Sequence, residues 1–451
     1  MQQRLWRERC DSAMRDYFGL TQPTLTIGGL SAEALAAKYG TPLYVYDAEI
    51  FKIKYETLRR ALPSSVEIFF AMKSNPSLAV VTLLSNLGAG VDIASLGELY
   101  TALRAGVPPH KILFTGPAKQ DRELDAAVRA DIFAINVESE GELERLNSIA
   151  RARNKRFSAG MRLNAAFAPD ERTTIIGGAS PQKFGIDPSR ALETIRLAQR
   201  LSHVKLVGIH IFNASQVLDA QAWLHNAEQT VRTAFELWRA TNFDLHYVDL
   251  GGGLGVPYAD GETELDVAAL GSGLARILAQ YTAKGLPEGL RVLIEPGRYL
   301  TAEAGVYLTR VVDVKESRGV RYALVDGGVH HLLRPTLFAT EHPVRIAQKL
   351  TRLAQERYSI AGPLCTALDY LAKDVMLPPV EVGDLVAIFN VGAYGWTESM
   401  PYFLSHPTPP EVLVLHGKDY LIRPRQTPEE YLANQIVPDV LTQKRFTRDS
   451  S

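Results

Sequence analysis

Short apolar runs alternate with helix-period segments from about residue 66 to residue 295. Eight of the runs have the length and the β-branched and aromatic content of buried strands: Ile68–Lys73, Val91–Ala94, Ile112–Thr115, Ile132–Val137, Ala159–Leu163, Leu206–Phe212, Tyr247–Leu250 and Val292–Glu295. Amphipathic segments lie between most of them, among them Ser77–Leu87, Gly97–Ala105, Glu138–Arg151, Ser189–Leu201 and Ala220–Thr241. The alternation predicts an α/β fold, a (β/α)8 TIM barrel; a doubly wound sheet is the alternative. Beyond about residue 304 the crossover helices stop. Tyr307–Val314, Tyr322–Asp326, Asp384–Phe389 and Glu411–Leu415 predict a C-terminal all-β domain, and the early strand Leu25–Ile27 is expected to join it. The expected division is 1–46 as an N-terminal extension and strand, 47–303 as the barrel and 304–451 as the β-domain. Ser31 and Gly40 bracket a short helix, and Asp47 caps another that runs to about Leu62. Residues 1–24 read as a charged helical extension, and the tail after about 425 as polar with a short helix.

Polar residues gather where the predicted strands end: Lys73, Asp92, Thr115, Asn136, Arg162, Asn164, His210, Asp249 and Glu295. In a barrel, and equally at the crevice of an open sheet, that is the face where chemistry sits. Lys73 stands where Phe70-Ala71-Met72 gives way to Ser74-Asn75-Pro76. Burial lowers an ammonium pKa, and a neutral amine is what Schiff-base chemistry needs. The plainer reading is a strand-end lysine with its charge in water. Asp249-Leu250-Gly251-Gly252-Gly253-Leu254-Gly255 removes Cβ atoms where backbone N–H groups converge on an anion. It has no Gly-Lys-Ser/Thr and stands late in the series, so a monophosphate suits it better than a dinucleotide; a tight βα turn explains it as well. Glu295-Pro296-Gly297-Arg298 sets a carboxylate beside a guanidinium, fit for a pyridinium nitrogen and a phosphate or for a structural ion pair. Gly362-Pro363-Leu364-Cys365-Thr366-Ala367-Leu368-Asp369 puts a thiol in a turn near a carboxylate. Gly392-Ala393-Tyr394-Gly395 brackets a tyrosine with small residues.

Composition narrows the classes. The chain has 451 residues, 46% hydrophobic and 22% charged, enough for a large folded core of two or three domains. A net charge of −1 leaves no electrostatic footprint for nucleic acid, and no apolar run is long enough to span a membrane. Cys10 and Cys365 fit no metal-ligand spacing, no His/Asp/Glu set does either, and the N-terminus has no apolar signal core. The expectation is a cytoplasmic protein without a metal.

A barrel-end lysine, a glycine nest for phosphate and a Glu/Arg strand end together point to pyridoxal 5'-phosphate. At these residues, with Asp92-Ile93-Ala94-Ser95-Leu96-Gly97-Glu98, Lys183-Phe184-Gly185, Gly208-Ile209-His210 to Ser215-Gln216 and Arg334-Pro335, the chain resembles the alanine-racemase-like, fold-type III pyridoxal-phosphate decarboxylases. That group includes the diaminopimelate, ornithine and arginine decarboxylases. The resemblance implies that Lys73 is the Schiff-base lysine and that Glu295 pairs with the pyridine nitrogen. Ser215, Gly251, Gly252, Gly253, Arg298 and Tyr394 would hold the phosphate. Asp92, His210, Phe212 and Gly297 would complete the cofactor pocket. Cys365 would return a proton after carbon dioxide leaves, and Arg334, Thr366 and Asp369 would face the substrate. Cys365 and Tyr394 would reach the other subunit's barrel, so a homodimer with shared sites is implied.

The chain departs from the diaminopimelate and ornithine pattern. Phe212 stands where a ring-stacking histidine is usual, Thr366 where an acid holds a distal ammonium, and Phe403–Pro407 lacks the usual Asn and Arg. Phenylalanine stacks but cannot titrate, and threonine forms no charge-assisted bond. In this the chain is similar to decarboxylases of secondary metabolism, including siderophore-pathway enzymes, an exosortase-associated group and one acting on glutamyl groups tethered to a carrier protein. The expected substrate is a modified, conjugated or carrier-bound amino acid. The alternatives are meso-diaminopimelate decarboxylase, an amino-acid racemase and a non-catalytic binding homologue. Residues 165–182, with Gly177-Gly178, are expected to form a mobile loop at the site.

Overall fold

The computed structural model describes residues 17–164, 182–259 and 261–442. Cys10 and nearly all of the expected 165–182 loop fall outside the described residues.

All eight predicted barrel strands form. They are preceded by β1 (Thr26–Ile27), β2 (Leu30–Ser31) and β3 (Leu43–Asp47), and run as β4 (Val66–Ala71), β5 (Gly90–Ile93), β6 (Ile112–Thr115), β7 (Ala134–Val137), β8 (Phe157–Leu163), β9 (Val204–Ile211), β10 (Tyr247–Asp249) and β11 (Arg291–Ile294). Every pair is parallel, and β11 closes the ring on β4 with Val292 opposite Val66. The intervening helices carry the expected caps: Ser31 accepts from Ala34 N, and Asp47 from Glu49 N. Helices over Asp121–Ala130 and Val267–Ala283 complete the series. Inside the barrel, Gly160 and Gly208 leave room for Tyr247; a Cβ at Gly208 would lie 2.2 Å from that ring. The Tyr247 hydroxyl donates to Asn136 Oδ1 (2.6 Å), and Asn136 Nδ2 to Thr115 Oγ1 (3.0 Å). This polar layer fills the interior with its hydrogen bonds satisfied.

The second sheet has nine strands. β12 (Gly305–Ser317) and β13 (Val320–Val325) are followed by β14 (Val344–Ile346), β15 (Glu356–Ala361), β16 (Tyr370–Leu377), β17 (Leu385–Ile388), β18 (Glu411–Leu415) and β19 (Lys418–Arg423). β3 lies between β12 and β18, so a segment from ahead of the barrel sits within the sheet that follows it. The Leu25–Ile27 expectation needs correction. Its two strand residues pair with β2 rather than with the large sheet, because Gly28 and Gly29, both at positive φ, turn the chain back at once. One backbone bond, Leu25 N to Ala347 O (2.8 Å), ties it to the second sheet. No helix among the described residues is long and apolar enough to cross a membrane.

His330, His331 and His342 are buried in this half of the molecule. His342 Nδ1 bonds to Phe389 O at 2.9 Å, and His331 spans Tyr307 Oη and Pro407 O. Burial holds all three below the ordinary value of 6.5, His330 and His342 down to about 4. The unfolded chain therefore takes up these protons first as the pH falls. Stability should decline from about pH 6.5 to pH 4, with His342 alone contributing about 3 kcal/mol of the loss at pH 4. Urea unfolding across that range checks this, and His342→Gln should flatten the decline. Equal slopes for both proteins would contradict it.

Candidate active site

Strand β4 ends at Ala71, and Met72–Ser74 forms a single 3₁₀ turn that carries Lys73 just past the strand. The turn is pinned from both sides. Ser74 Oγ donates to Ala71 O (2.9 Å), Asn75 Nδ2 to Gly392 O (2.9 Å), and Tyr394 N to Ser74 O (2.7 Å). Lys73 Nζ lies 3.0 Å from Asp92 Oδ2 at the end of β5. The lysine side chain is 47% accessible whereas Asp92 is buried, so the amine is open to a small molecule while protein surrounds its base. Burial works to lower the amine's pKa, but Asp92, Glu295 and Tyr394 outweigh it and hold it above the ordinary value. This corrects the expectation of a neutral amine: without a ligand Lys73 is an ammonium, because the fold supplies carboxylates along with the burial. Glu98, whose Oε2 accepts from Ala94 N (2.6 Å), is pushed up to about 7 by burial.

Across the barrel mouth, β9, β10 and β11 bring His210, Asp249 and Glu295 together, one ligand-type atom of each within 4.8 Å of the others. Their spacing in the chain gives no hint of a cluster; parallel register at three adjacent strand ends makes it. His210 Nε2 lies 3.5 Å from Glu295 Oε2. Asp249 is pushed up by burial and then by the Glu295 charge. Burial works the same way on Glu295, yet His210, Lys73 and the proton on Asp249 hold it down at about 2. The pair thus divides its roles, with the proton on Asp249 and the charge on Glu295. Glu295 Oε1 and Asp92 Oδ1 are buried with no hydrogen-bond partner among the described residues. Free acceptors at such depth await a donor.

The glycine run follows β10. Gly251 and Gly253 adopt φ of 67° and 88°, and a Cβ at Gly252 would lie 2.2 Å from Glu295 O. Asp249 Oδ1 accepts from Gly251 N, and Trp223 Nε1 donates to Gly252 O, so the turn is fixed from within and from the neighbouring helix. Ser215 Oγ is buried beside it and unpartnered among the described residues. Phe212 packs on Gly251; a Cβ there would meet its ring at 2.9 Å. Gly297 is required where Ser74 Oγ would stand 2.9 Å from a Cβ. Arg298 is held by Tyr258, to whose hydroxyl Nη1 donates at 3.0 Å, and its guanidinium sits 4.9 Å from the Tyr394 ring centre. Tyr258 is a site residue that sequence reasoning misses, since nothing in Val256-Pro257-Tyr258 marks it. Tyr394 lies against Arg298 and Ser74 of its own chain, which corrects the expectation that it crosses to the other subunit.

The Cys365 turn lies elsewhere. Cys365 is exposed, and among the described residues no hydrogen bond or ion pair joins it to the Lys73 cluster. Thr366 beside it is half-buried and accepts from Leu368 N (3.3 Å). Asp369, expected to face the substrate, is buried, and its two oxygens accept from Val329 N (2.8 Å) and Leu364 N (2.7 Å). These two bonds make it a brace of the turn. Arg334 is buried beside Tyr394, its guanidinium 5.1 Å from that ring centre.

These groups fit pyridoxal 5'-phosphate on their own terms. A rigid glycine cradle with a free hydroxyl and a buried guanidinium suits a phosphate, a buried anionic acceptor suits a protonated ring nitrogen, and an accessible amine suits the aldehyde. Comparison with known proteins agrees. Residues 49–302 match the family model for the pyridoxal-binding domain of pyridoxal-dependent decarboxylases. The diaminopimelate decarboxylase of Methanothermobacter thermautotrophicus is 37% identical over 418 residues, 92% of this chain and 96% of that protein. The L-glutamyl-[BtrI acyl-carrier protein] decarboxylase of Niallia circulans is 33% identical over 413 residues, 89% of this chain and 95% of that protein. The crystal structure of diaminopimelate decarboxylase from M. jannaschii superposes with a TM-score of 0.88 at 32% identity, covering 95% of this chain and 99% of that one. The chain belongs to the fold-type III pyridoxal-dependent decarboxylases and is a carboxy-lyase that works with pyridoxal 5'-phosphate.

Proposed function

We propose that the protein removes the α-carboxylate of a modified, conjugated or carrier-bound amino acid in a biosynthetic pathway of the siderophore or secondary-metabolite kind. The observation that carries the chemistry is Glu295, buried and anionic opposite Lys73, with one oxygen unpartnered among the described residues. In this reading Lys73 Nζ holds the cofactor's aldehyde carbon. Gly251–Gly253, Ser215, Arg298 and Tyr394 hold its phosphate, and Phe212 flanks the ring. When bound, the cofactor supplies the sink for the electron pair left on Cα as carbon dioxide departs. Glu295 keeps a proton at the ring nitrogen; His210 and the protonated Asp249 keep Glu295 charged. Cys365 Sγ gives the proton to Cα, reaching the site from a second subunit.

Exposed apolar residues at the Cys365 turn, Leu368 with Leu337 and Phe338 of the segment that Thr336 bonds to Leu368 O, favour a homodimer. Mixing Lys73→Ala and Cys365→Ala proteins should restore up to about a quarter of the wild-type activity, because half of the random dimers carry one intact site in two. No recovery on mixing would contradict shared sites.

Thr366 and Phe212 favour the conjugated or tethered substrate, as does likeness to a decarboxylase of a carrier-bound glutamyl group. A second reading, meso-diaminopimelate decarboxylation, is favoured by the several diaminopimelate decarboxylases among the relatives. Carbon dioxide release from meso-diaminopimelate, ornithine, lysine, glutamate and carrier-bound aminoacyl groups separates them. Efficient release from meso-diaminopimelate, with the conjugates inert, would overturn the first reading.

A further inference from the structure

Arg334, which the resemblance to the decarboxylases sets toward the substrate, is buried, and its charge is already answered. Its Nη1 lies 2.6 Å from Glu398 Oε2, with the arginine side chain 3% exposed and the glutamate 31%. The arrangement is built. Glu398 follows the Gly395 turn, its N–H donating to Gly395 O at 3.2 Å, and Ser399 Oγ donates to the same carbonyl at 3.0 Å. Ser399 Oγ accepts from Leu333 N (3.1 Å), the residue before Arg334, so the two charged side chains are stapled face to face. The Tyr394 ring lies between Arg334, 5.1 Å from its centre, and Arg298, at 4.9 Å, which joins the pair to the phosphate end of the site.

One donor is left over. Arg334 Nε is buried and has no hydrogen-bond partner among the described residues. Leaving a buried donor unpaired is costly, so a ligand with an acceptor there gains. A free carboxylate would satisfy Nε but would set a second anion against a guanidinium that Glu398 has neutralised, and like charges held close repel. An uncharged carbonyl satisfies Nε without that cost.

We propose that Glu398 is a specificity-determining residue: by neutralising Arg334 it makes the distal end of the site accept an uncharged carbonyl, as in an amide, ester or thioester, and reject a free distal carboxylate. The inference rests on the proposed function, with Arg334 facing the substrate as the resemblance implies, and it narrows the substrate class to α-amino acids whose distal carboxyl is masked.

The test is equilibrium binding to the pyridoxal-phosphate-loaded protein, read from the change in cofactor absorbance. Shape-matched pairs serve as probes: glutamate with glutamine, and 2-aminoadipate with its 6-amide. In wild type the amide should bind at least about tenfold tighter than the acid in one pair or both, in line with the discrimination of a site that leaves a charge unanswered. Glu398→Gln should erase or reverse that preference by about tenfold, while Glu398→Asp, which keeps the charge, should retain it. Acid binding as tight as amide binding in wild type, an unchanged ratio in Glu398→Gln, or no response to any probe would overturn the inference. Loss of carbon dioxide release with the binding preference intact would count against the decarboxylation reading and leave this one standing.

Discussion

Replacing Lys73 by alanine should abolish the imine absorbance of the pyridoxal-phosphate-loaded protein and lower decarboxylation at least about a thousandfold. The expectation rests on position. Lys73 is the cation at the barrel mouth that is both open to a small molecule and flanked by Asp92 at 3.0 Å. The buried lysines are committed to structure: Lys54 to Glu303, Lys119 to Glu142 and Asn136 O, and Lys349 to Asp384, Glu381 and Pro379 O. Lys73→Arg should fail as well, because a guanidinium keeps the charge but cannot attack a carbonyl carbon. Unfolding midpoints near wild type would show that the loss is chemical, since the Met72–Ser74 turn is held by Ser74 and Asn75 rather than by the lysine. Retained absorbance in Lys73→Ala would contradict the assignment.

Glu295→Gln should lower kcat about a hundredfold to a thousandfold with a smaller change in KM, the signature of a charge that matters most as the reaction proceeds. Glutamine fills the same space and still faces His210, but it cannot stabilise a proton on a ring nitrogen. Asp249→Asn is the informative contrast. Burial and the Glu295 charge hold the Asp249 carboxyl well above its ordinary value, which favours its neutral form, and asparagine is neutral there while keeping the acceptor for Gly251 N. Its effect should stay within about tenfold. Equal losses in the two variants would mean that the proton does not rest on Asp249.

Much of the site is legible in the chain because barrel strands are short and apolar on both faces, which leaves each polar residue at a strand end conspicuous. Lys73, Asp92, His210, Asp249 and Glu295 stand out in the sequence on that ground alone. Glycines with a required conformation are visible too, since Gly251 to Gly253 admit no side chain. What sequence conceals is what depends on partners far away in the chain. The division of proton and charge between Asp249 and Glu295 needs the register of β10 against β11. Glu398 reads as an ordinary surface acid until the fold sets it against Arg334, a separation of 64 residues. The bonds that Asp369 makes to Val329 N and Leu364 N are hidden for the same reason, since Val329 lies 40 residues away in the chain. Tyr394 invites placement across a subunit boundary because its motif says nothing about which chain's Ser74 it bonds to. In the second sheet, β14, β15, β16 and β19 are hidden from pattern reading, for they mix charged and apolar residues without a clean alternation, and β16 and β19 do so along partly exposed edges.

The measurement that bears most directly on the assignment of Lys73 is borohydride reduction of the cofactor-loaded protein followed by peptide mapping. Reduction should leave the phosphopyridoxyl group on the peptide containing Lys73, one per chain, and on no other lysine. A label on Lys119, Lys54 or a surface lysine, or no label on a protein that still releases carbon dioxide, would contradict it.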